Sequence, residues 1–71
     1  MPLRTVEVTE IKAGTHFSNG DGEFVASTDA TADHHDRQLV AFVVRIVIGD
    51  QLSGPVAYSA DSKQVVEILP A

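Results

Sequence analysis

The residues best equipped for chemistry lie in one short polar stretch, Asp33-His34-His35-Asp36. Imidazole nitrogens and carboxylate oxygens are ligands that zinc, nickel and copper accept. Adjacent residues of a strand point to opposite sides, so both histidines can chelate one ion only from an irregular loop. A group whose charge changes near neutral pH is a second interpretation, and a solvated loop is the one we favour. We therefore predict no resident metal and keep these four residues as the candidate ligands.

Two other patterns of functional residues fail on spacing. Asn19, Asp21 and Glu23 place oxygens at alternate positions, as at the start of a calcium-binding loop. Such a loop requires glycine at its sixth position and glutamate at its twelfth, where this chain has Phe24 and Ala30.

The chain has no cysteine, and none of its serines lies in a G-x-S-x-G elbow. We predict that the protein is not an enzyme and uses no cofactor.

The chain has four aromatic residues, the stock from which a stacking surface for single-stranded nucleic acid would be built. Phe17, Phe24 and Phe42 each fall on a predicted apolar face, so we expect these rings in the hydrophobic core. Tyr58 is the ring that we expect to keep its hydroxyl group at the surface.

The element that organises these residues is an apolar run, Leu39–Ile48, rich in β-branched side chains that favour a strand over a helix. Successive side chains of a strand point to opposite faces, so the even-numbered positions form one apolar face. The odd-numbered positions are also apolar, except for Arg45. A strand that is apolar on both faces needs cover on both, which predicts a closed barrel, a partner chain, or both. At ~3.3 Å per residue the strand would reach ~33 Å, so we also expect it to bend, with its two halves in different sheets.

Arg45 is a lone cation in this apolar strand. Such a cation either prevents edge-to-edge aggregation or forms half of an ion pair across an interface. The apolar side chains around it would, if exposed together, form a larger patch than a monomer usually tolerates. The sequence therefore predicts an interface made of Leu39, Ala41, Val43, Arg45 and Val47.

Turn-forming residues divide the rest of the chain into short strands. Asn19-Gly20-Asp21-Gly22 predicts a tight hairpin that joins Phe17 to Phe24. Ser53-Gly54-Pro55 also consists of residue types that are typical of turns. The predicted strands are 5–9, 15–18, 23–28, 38–48, 56–59 and 64–69, with loops at 29–36 and 51–55, a single helical or 3₁₀ turn at 60–63, and Pro70 ending the last strand. A short helix within residues 57–69, capped by Ser59, is the alternative for this end.

We assign the 71 residues to a single domain, 1–71, whose formal net charge is −5 from ten acidic and five basic residues. The bases are scattered, which disfavours direct binding to nucleic acid or to an anionic membrane, since both reward clustered Lys and Arg. A basic protein partner is compatible with this charge. The apolar run is about half of the ~20 residues that a membrane helix needs, and the N-terminal residues hold no apolar segment of signal-peptide length. We predict a cytoplasmic protein with no membrane segment.

Three segments, Val8–Phe17, Gly22–Val25 and Ala60–Leu69, resemble small SH3-like β-barrel modules of actinobacteria and their phages. In that layout a turn with glycine precedes the first hairpin, and a one-turn helix precedes the final strand. This chain has Ala13-Gly14-Thr15 where the layout often has Pro-Gly-Asp. The strand lengths themselves favour a small closed barrel or two packed sheets. The resemblance implies an all-β fold, a small SH3-like barrel of five to six antiparallel strands with a one-turn 3₁₀ helix before the last strand, and no catalytic residue.

These observations predict a non-enzymatic protein-interaction domain that binds a protein partner and self-associates as a homo-oligomer through the 39–48 strand. The resemblance implies an accessory role in a phage or an actinobacterium, in the host cytoplasm if a phage encodes the chain. The alternative is a factor linked to nucleic acid, either a weak binder or an acidic mimic that occupies a basic host protein. The acids that suggest mimicry are Asp29, Asp33, Asp36 and Asp50.

Overall fold

Short strands and tight turns make up residues 4–69, the part of the chain that the computed structural model describes. The strands in this part are β1 (Arg4–Glu7), β2 (His16–Ser18), β3 (Glu23–Ala26), β4 (Thr31–Ala32), β5 (Leu39–Ile48), β6 (Gln51–Asp61) and β7 (Val65–Ile68), with a 3₁₀ turn at Val8–Glu10. The predicted all-β class is confirmed. The two-residue strand β4, inside the predicted 29–36 loop, raises the number of strands above the predicted six. Residues 4–69 contain no helix long and apolar enough to cross a membrane. The predicted end of the last strand at Pro70 lies outside the described residues.

All the strands described pair antiparallel in one sheet, in the order β1-β7-β2-β3-β5-β4, and β6 pairs with the other edge of β5. The sheet curls into a half-barrel, as expected of a small β-barrel fold. The first half of β5 pairs with β4 and its second half with β3. The long strand therefore lies in a single curled sheet, and the prediction that its halves serve different sheets is wrong.

The hydrophobic core lies on the concave side of this sheet. Three even-numbered residues of β5 are buried in it: Val40 is 2% exposed, Phe42 6% and Val44 0%, whereas Ile48 at the end of the strand is 62% exposed. The core residues are Val8, Ile11, Phe17, Ala26, Val40, Phe42, Val44 and Val66. Every one of them is apolar, so burial carries no cost for unpaired polar groups.

The hairpin predicted at Asn19-Gly20-Asp21-Gly22 is confirmed, with Phe17 directly opposite Phe24. The Oδ1 atom of Asn19 accepts hydrogen bonds from the backbone N–H groups of Asp21 (2.9 Å) and Gly22 (3.2 Å). This arrangement is an Asx turn, in which the side chain substitutes for a backbone acceptor. The turn therefore forms from local chemistry that the sequence already contains.

The loop predicted over residues 51–55 is wrong, because these residues form the first part of β6. Gly49 and Asp50 alone make the turn, and Ile48 pairs directly with Gln51. Gly49 has φ 62° at the first central position, as type II′ hairpin turns require. Gly54 and Pro55 form a bulge opposite Arg45, between the pairs Val44–Val56 and Ile46–Ser53. A bulge absorbs an extra residue without ending the strand, which is why turn-forming residues occur inside β6.

Two further predictions of secondary structure are wrong at the ends of strands. Residues predicted as the end of a 5–9 strand form the 3₁₀ turn, which buries Val8 completely and is closed by a hydrogen bond from the Glu7 N–H group to the Glu10 Oε2 atom (3.3 Å). The helical turn predicted at 60–63, and the alternative helix within 57–69, are replaced by the end of β6 and a tight turn. Pairing with β5 extends β6 to Asp61, whose carbonyl group then accepts a hydrogen bond from the Gln64 N–H group (2.9 Å).

Candidate functional site

The interface residues predicted from the sequence lie together on the convex side of β5, which we call the outer face. Leu39, Ala41, Val43 and Val47 are half-buried there, and Arg45 is exposed. On the other face, Val40, Phe42 and Val44 are buried in the core, Ile46 is half-buried and Ile48 is 62% exposed. The two faces of β5 therefore differ in burial over the first part of the strand. The prediction that water is excluded from both faces is therefore wrong for the outer face, and on the concave side it holds for Val40, Phe42 and Val44 but not for Ile48.

The outer face continues onto β6, because directly paired residues share a face of the sheet. Ala57 lies opposite Val43, and Leu52 lies opposite Val47. The Leu52 side chain is 49% exposed. The apolar surface therefore continues from β5 onto β6 at Ala57 and Leu52, and it gives way to the polar residues Ser59 and Asp61 opposite Ala41 and Leu39. It is wider than the sequence predicts, because the sequence predicts a loop at Leu52.

Arg45 has no acidic partner within the described residues 4–69. Glu23 lies on the same face, opposite Val47, but its Oε2 atom contacts the Nε2 atom of His16 at 3.3 Å. On the β6 side Arg45 faces the bulge of Gly54 and Pro55, which offers no charge. The guanidinium group is therefore free to pair with a carboxylate from outside this subunit.

The candidate metal ligands lie in the loop between β4 and β5, and their carboxylates are used to shape it. The Asp33 Oδ1 atom accepts hydrogen bonds from the N–H groups of His35 (2.7 Å) and Asp36 (3.3 Å). The Asp36 Oδ1 atom accepts one from the Gln38 N–H group (2.9 Å). The rings of His34 and His35 are nearly perpendicular, with centroids 5.4 Å apart. Within residues 4–69 no three metal-binding side chains converge on a common point.

The aromatic residues form one cluster on the concave side of the sheet. The Phe17 ring is fully buried, with centroids 5.5 Å from Phe24, 5.9 Å from Phe42 and 5.7 Å from Tyr58. The half-buried Tyr58 accepts a hydrogen bond at its hydroxyl from the Asn19 Nδ2 atom (3.3 Å). These rings are packed against one another, as predicted for a core, and so do not form a flat surface on which bases could stack.

A surface hollow of about 280 Å³ lies between the β2–β3 turn and β7. Its lining residues are Thr5, Ser18, Asn19, Gly20, Val65, Val66 and Glu67. The Ser18 Oγ atom accepts a hydrogen bond from the Gly20 N–H group (3.2 Å). None of these residues is a histidine, so Ser18 has no imidazole base in the hollow of the kind that activates a serine nucleophile.

The strongest feature of the molecule is therefore the β5–β6 hairpin, with its apolar outer face and the unpaired Arg45. Comparison with protein-family models, with curated proteins and with solved structures finds no match to this chain. The SH3-like resemblance remains an expectation from the sequence, and the surface itself is the guide to function.

Proposed function

We propose that this protein is a non-enzymatic protein-interaction domain that binds a second copy of itself through the outer face of β5. The observation that carries the proposal is the unequal burial of one apolar strand. Val40, Phe42 and Val44 on its concave side are buried, whereas Leu39, Ala41, Val43 and Val47 on the outer face are only half-buried. In this proposal the domain serves as an accessory protein of a phage or an actinobacterium, on the ground of the sequence resemblance alone.

The physical reason for association is the apolar area that remains in contact with water. Removing such area from water contributes roughly 25 cal/mol per Å², and complete burial of a Val or Leu side chain contributes about 1.5–3 kcal/mol. The half-buried side chains of β5 contribute only part of this free energy in the single subunit. A second outer face laid against the first supplies the rest, because identical surfaces related by a two-fold axis are self-complementary.

Substitution of Val43 by Asp tests this proposal. Val43 lies at the middle of the outer face, so Val43→Asp places a carboxylate where the second copy would exclude water, and we expect loss of the face-to-face association. Sedimentation equilibrium over a range of concentrations measures it. Val65→Asp is the matched control, because Val65 is 56% exposed on β7, away from this face, and receives the same chemical change.

Folding of both variants is checked by urea unfolding, and Val43→Thr provides a milder polar change if Val43→Asp does not fold. A wild-type protein that stays monomeric at all concentrations would contradict the proposed self-association. Equal weakening by Val43→Asp and Val65→Asp would contradict the assignment to the outer face of β5.

A further inference from the structure

β6 has a partner strand on one side only, within the part of the chain that the structure describes. Its other side is an edge that runs along Gln51–Asp61, one of the longest strands of the sheet. Proteins usually protect such edges with charged side chains, proline or short length. β6 carries Pro55 near its middle and a single charged residue, Asp61, at its end. The stretch between them has no protection.

The backbone groups that point outward from this stretch can be assigned from the pairing of β5. The Val43 N–H group donates to the Thr28 Oγ1 atom (3.0 Å), and the Val43 C=O group accepts from the Ser27 N–H group (2.8 Å). Val43 therefore points its backbone groups away from β6. Residues opposite one another alternate between pairs that exchange hydrogen bonds and pairs that point away. Ala57, which lies opposite Val43, must point its N–H and C=O groups to the free edge.

The same alternation makes Ser59 the next residue with outward backbone groups, followed by Asp61. Pro55 precedes them and has no N–H group to offer. The Asp61 C=O group already accepts a hydrogen bond from the Gln64 N–H group (2.9 Å). The edge thus lacks a donor at Pro55 and has an occupied acceptor at Asp61, with complete donor and acceptor pairs at Ala57 and Ser59.

We propose that the free edge of β6 pairs antiparallel with β6 of a second copy, in the register that places Tyr58 opposite Tyr58. In this register the Ala57 N–H group donates to the Ser59 C=O group of the second copy, and the Ser59 N–H group donates to its Ala57 C=O group. Pro55 lies opposite Asp61, so the missing donor meets the acceptor that is already occupied. Moving the axis to Ala57 instead would leave the Ser59 C=O group facing the proline nitrogen.

Charge supports the same register. Arg45 and Asp61 both lie on the outer face, because Arg45 is odd-numbered and Asp61 lies opposite Leu39. Arg45 is beside the bulge, and Asp61 is at the open end of the hairpin. Arg45 faces the bulge that contains Pro55, and the Tyr58 register brings Asp61 of the second copy to the other side of that bulge. The two Cα atoms are then two strand spacings apart, about 10 Å, which an extended arginine and an aspartate can bridge. Moving the axis to Ser59 would place Lys63 of the second copy there, next to a like charge.

This edge contact is separate from the face-to-face contact proposed above, although Arg45 lies on the outer face and also takes part in the edge contact. Apolar side chains of the outer face make the face-to-face contact, and backbone groups of β6, together with the Arg45–Asp61 pair, make the edge contact. The small side chains of Ala57 and Ser59 leave the edge accessible to another strand.

Cysteine cross-linking tests the register, because the natural chain has no cysteine. Directly opposite residues of a hydrogen-bonded pair have Cα atoms about 5.5 Å apart, within the range of about 4.4–6.8 Å that disulfides span. We expect a mixture of the Ala57→Cys and Ser59→Cys proteins to form a disulfide-linked heterodimer under mild oxidation. Each single variant alone is the matched control and should cross-link much more slowly, since like positions are diagonal across the seam.

Rapid cross-linking of either variant with itself would overturn the proposed register, and no cross-linking in the mixture would overturn β6 pairing itself. Both experiments are repeated on the Val43→Asp background. If the face-to-face contact is lost there and the mixed disulfide still forms, the edge contact stands without the proposed function. If the mixed disulfide is absent and Val43→Asp alone changes the mass, only the face-to-face contact stands.

Charge reversal gives an independent measurement of the Arg45–Asp61 contact in the Val43→Thr protein, whose substitution adds no charge beside Arg45. Arg45→Glu should weaken dimerisation by about threefold to tenfold, as expected for two exposed ion pairs. Adding Asp61→Lys to the same chain should restore it, and Asp50→Lys, in the β5–β6 turn, is the matched control that should not. Failure of Asp61→Lys to restore dimerisation would overturn the proposed pairing of these two residues.

Discussion

Gly54 occupies a position where a side chain has no room. Its φ angle is 108°, and a Cβ atom built there would lie 3.1 Å from the Val56 nitrogen and 3.4 Å from the Val44 carbonyl oxygen. Both neighbours are backbone atoms, which cannot rotate away as a flexible side chain can. The bulge opposite Arg45 therefore depends on this one glycine.

We predict that Gly54→Ala lowers the free energy of unfolding by more than Gly20→Ala, measured by urea denaturation. Gly20 has a similar φ of 94° but nothing within 4 Å of a built Cβ atom, so its substitution reports the backbone strain alone. That strain costs on the order of 1–3 kcal/mol, and close contact with two backbone atoms should add to it at Gly54. Equal losses for the two variants would show that the bulge can relax around a methyl group.

Residues whose role depends on local chemistry could be predicted from the sequence. Asn19 begins a tight turn because its side chain accepts hydrogen bonds from the backbone N–H groups that follow it. The burial of Phe17 is indicated by the polar residues on either side of it in the predicted strand. Arg45 is different. Its exposure and its lack of an acidic partner depend on the bulge across from it and on Glu23 contacting His16, and both depend on strand register, which composition does not specify.

At the scale of the strand, the unprotected half of β6 should respond to a charge placed at its edge. We predict that Ser59→Lys weakens the β6-mediated dimer, because the two lysines would lie near each other across the seam, as charged edge residues do when they prevent strand pairing. The concentration dependence of sedimentation measures the change. Ser27→Lys adds the same charge on the other side of β5, and an equal effect from it would point to net charge as the cause.

The element most poorly predicted was β6, and the reason is physical. Gly54 and Pro55 favour a turn in any short window of sequence, and the pairing of residues 51–53 with the end of β5 overrides that preference. The two-residue turn at Gly49-Asp50 was the available signal for a longer hairpin. The sustained apolar run of β5 predicts its C-terminal end correctly, at Ile48. The outer face could thus be predicted on β5, and its continuation onto β6 and the free edge could not.

At the scale of the whole molecule, size limits how strongly either contact can hold. A standard interface buries about 800 Å² on each partner, about a sixth of the 4864 Å² that this chain exposes. A single strand edge buries less than that. The edge contact should therefore be weak alone and should appear as the concentration rises.

We predict that the thermal unfolding midpoint of the wild-type protein rises with protein concentration, because association stabilises the folded state by mass action. For a domain of this size about 1 kcal/mol of stabilisation shifts the midpoint by ~4–8 °C. Scans at low and high micromolar concentrations measure the shift. It should shrink in Ser59→Lys and persist in Ser27→Lys, and a midpoint independent of concentration would exclude association of folded chains.

The opposite end of the sheet determines whether such pairing stops. In the part of the chain described, β1 ends the sheet on the side away from β5 and β6, and it pairs only with β7. The two-residue strand β4, which pairs only with β5, is another free edge but a very short one. If β6 joined β1 of the next molecule, head-to-tail addition would continue into a fibre. β1 has four residues, with the charged side chains of Arg4 and Glu7 exposed at its ends, and is a poor template for addition. When β6 of one molecule pairs with β6 of another, both of the long free edges are occupied. The sheet then stops growing at two molecules.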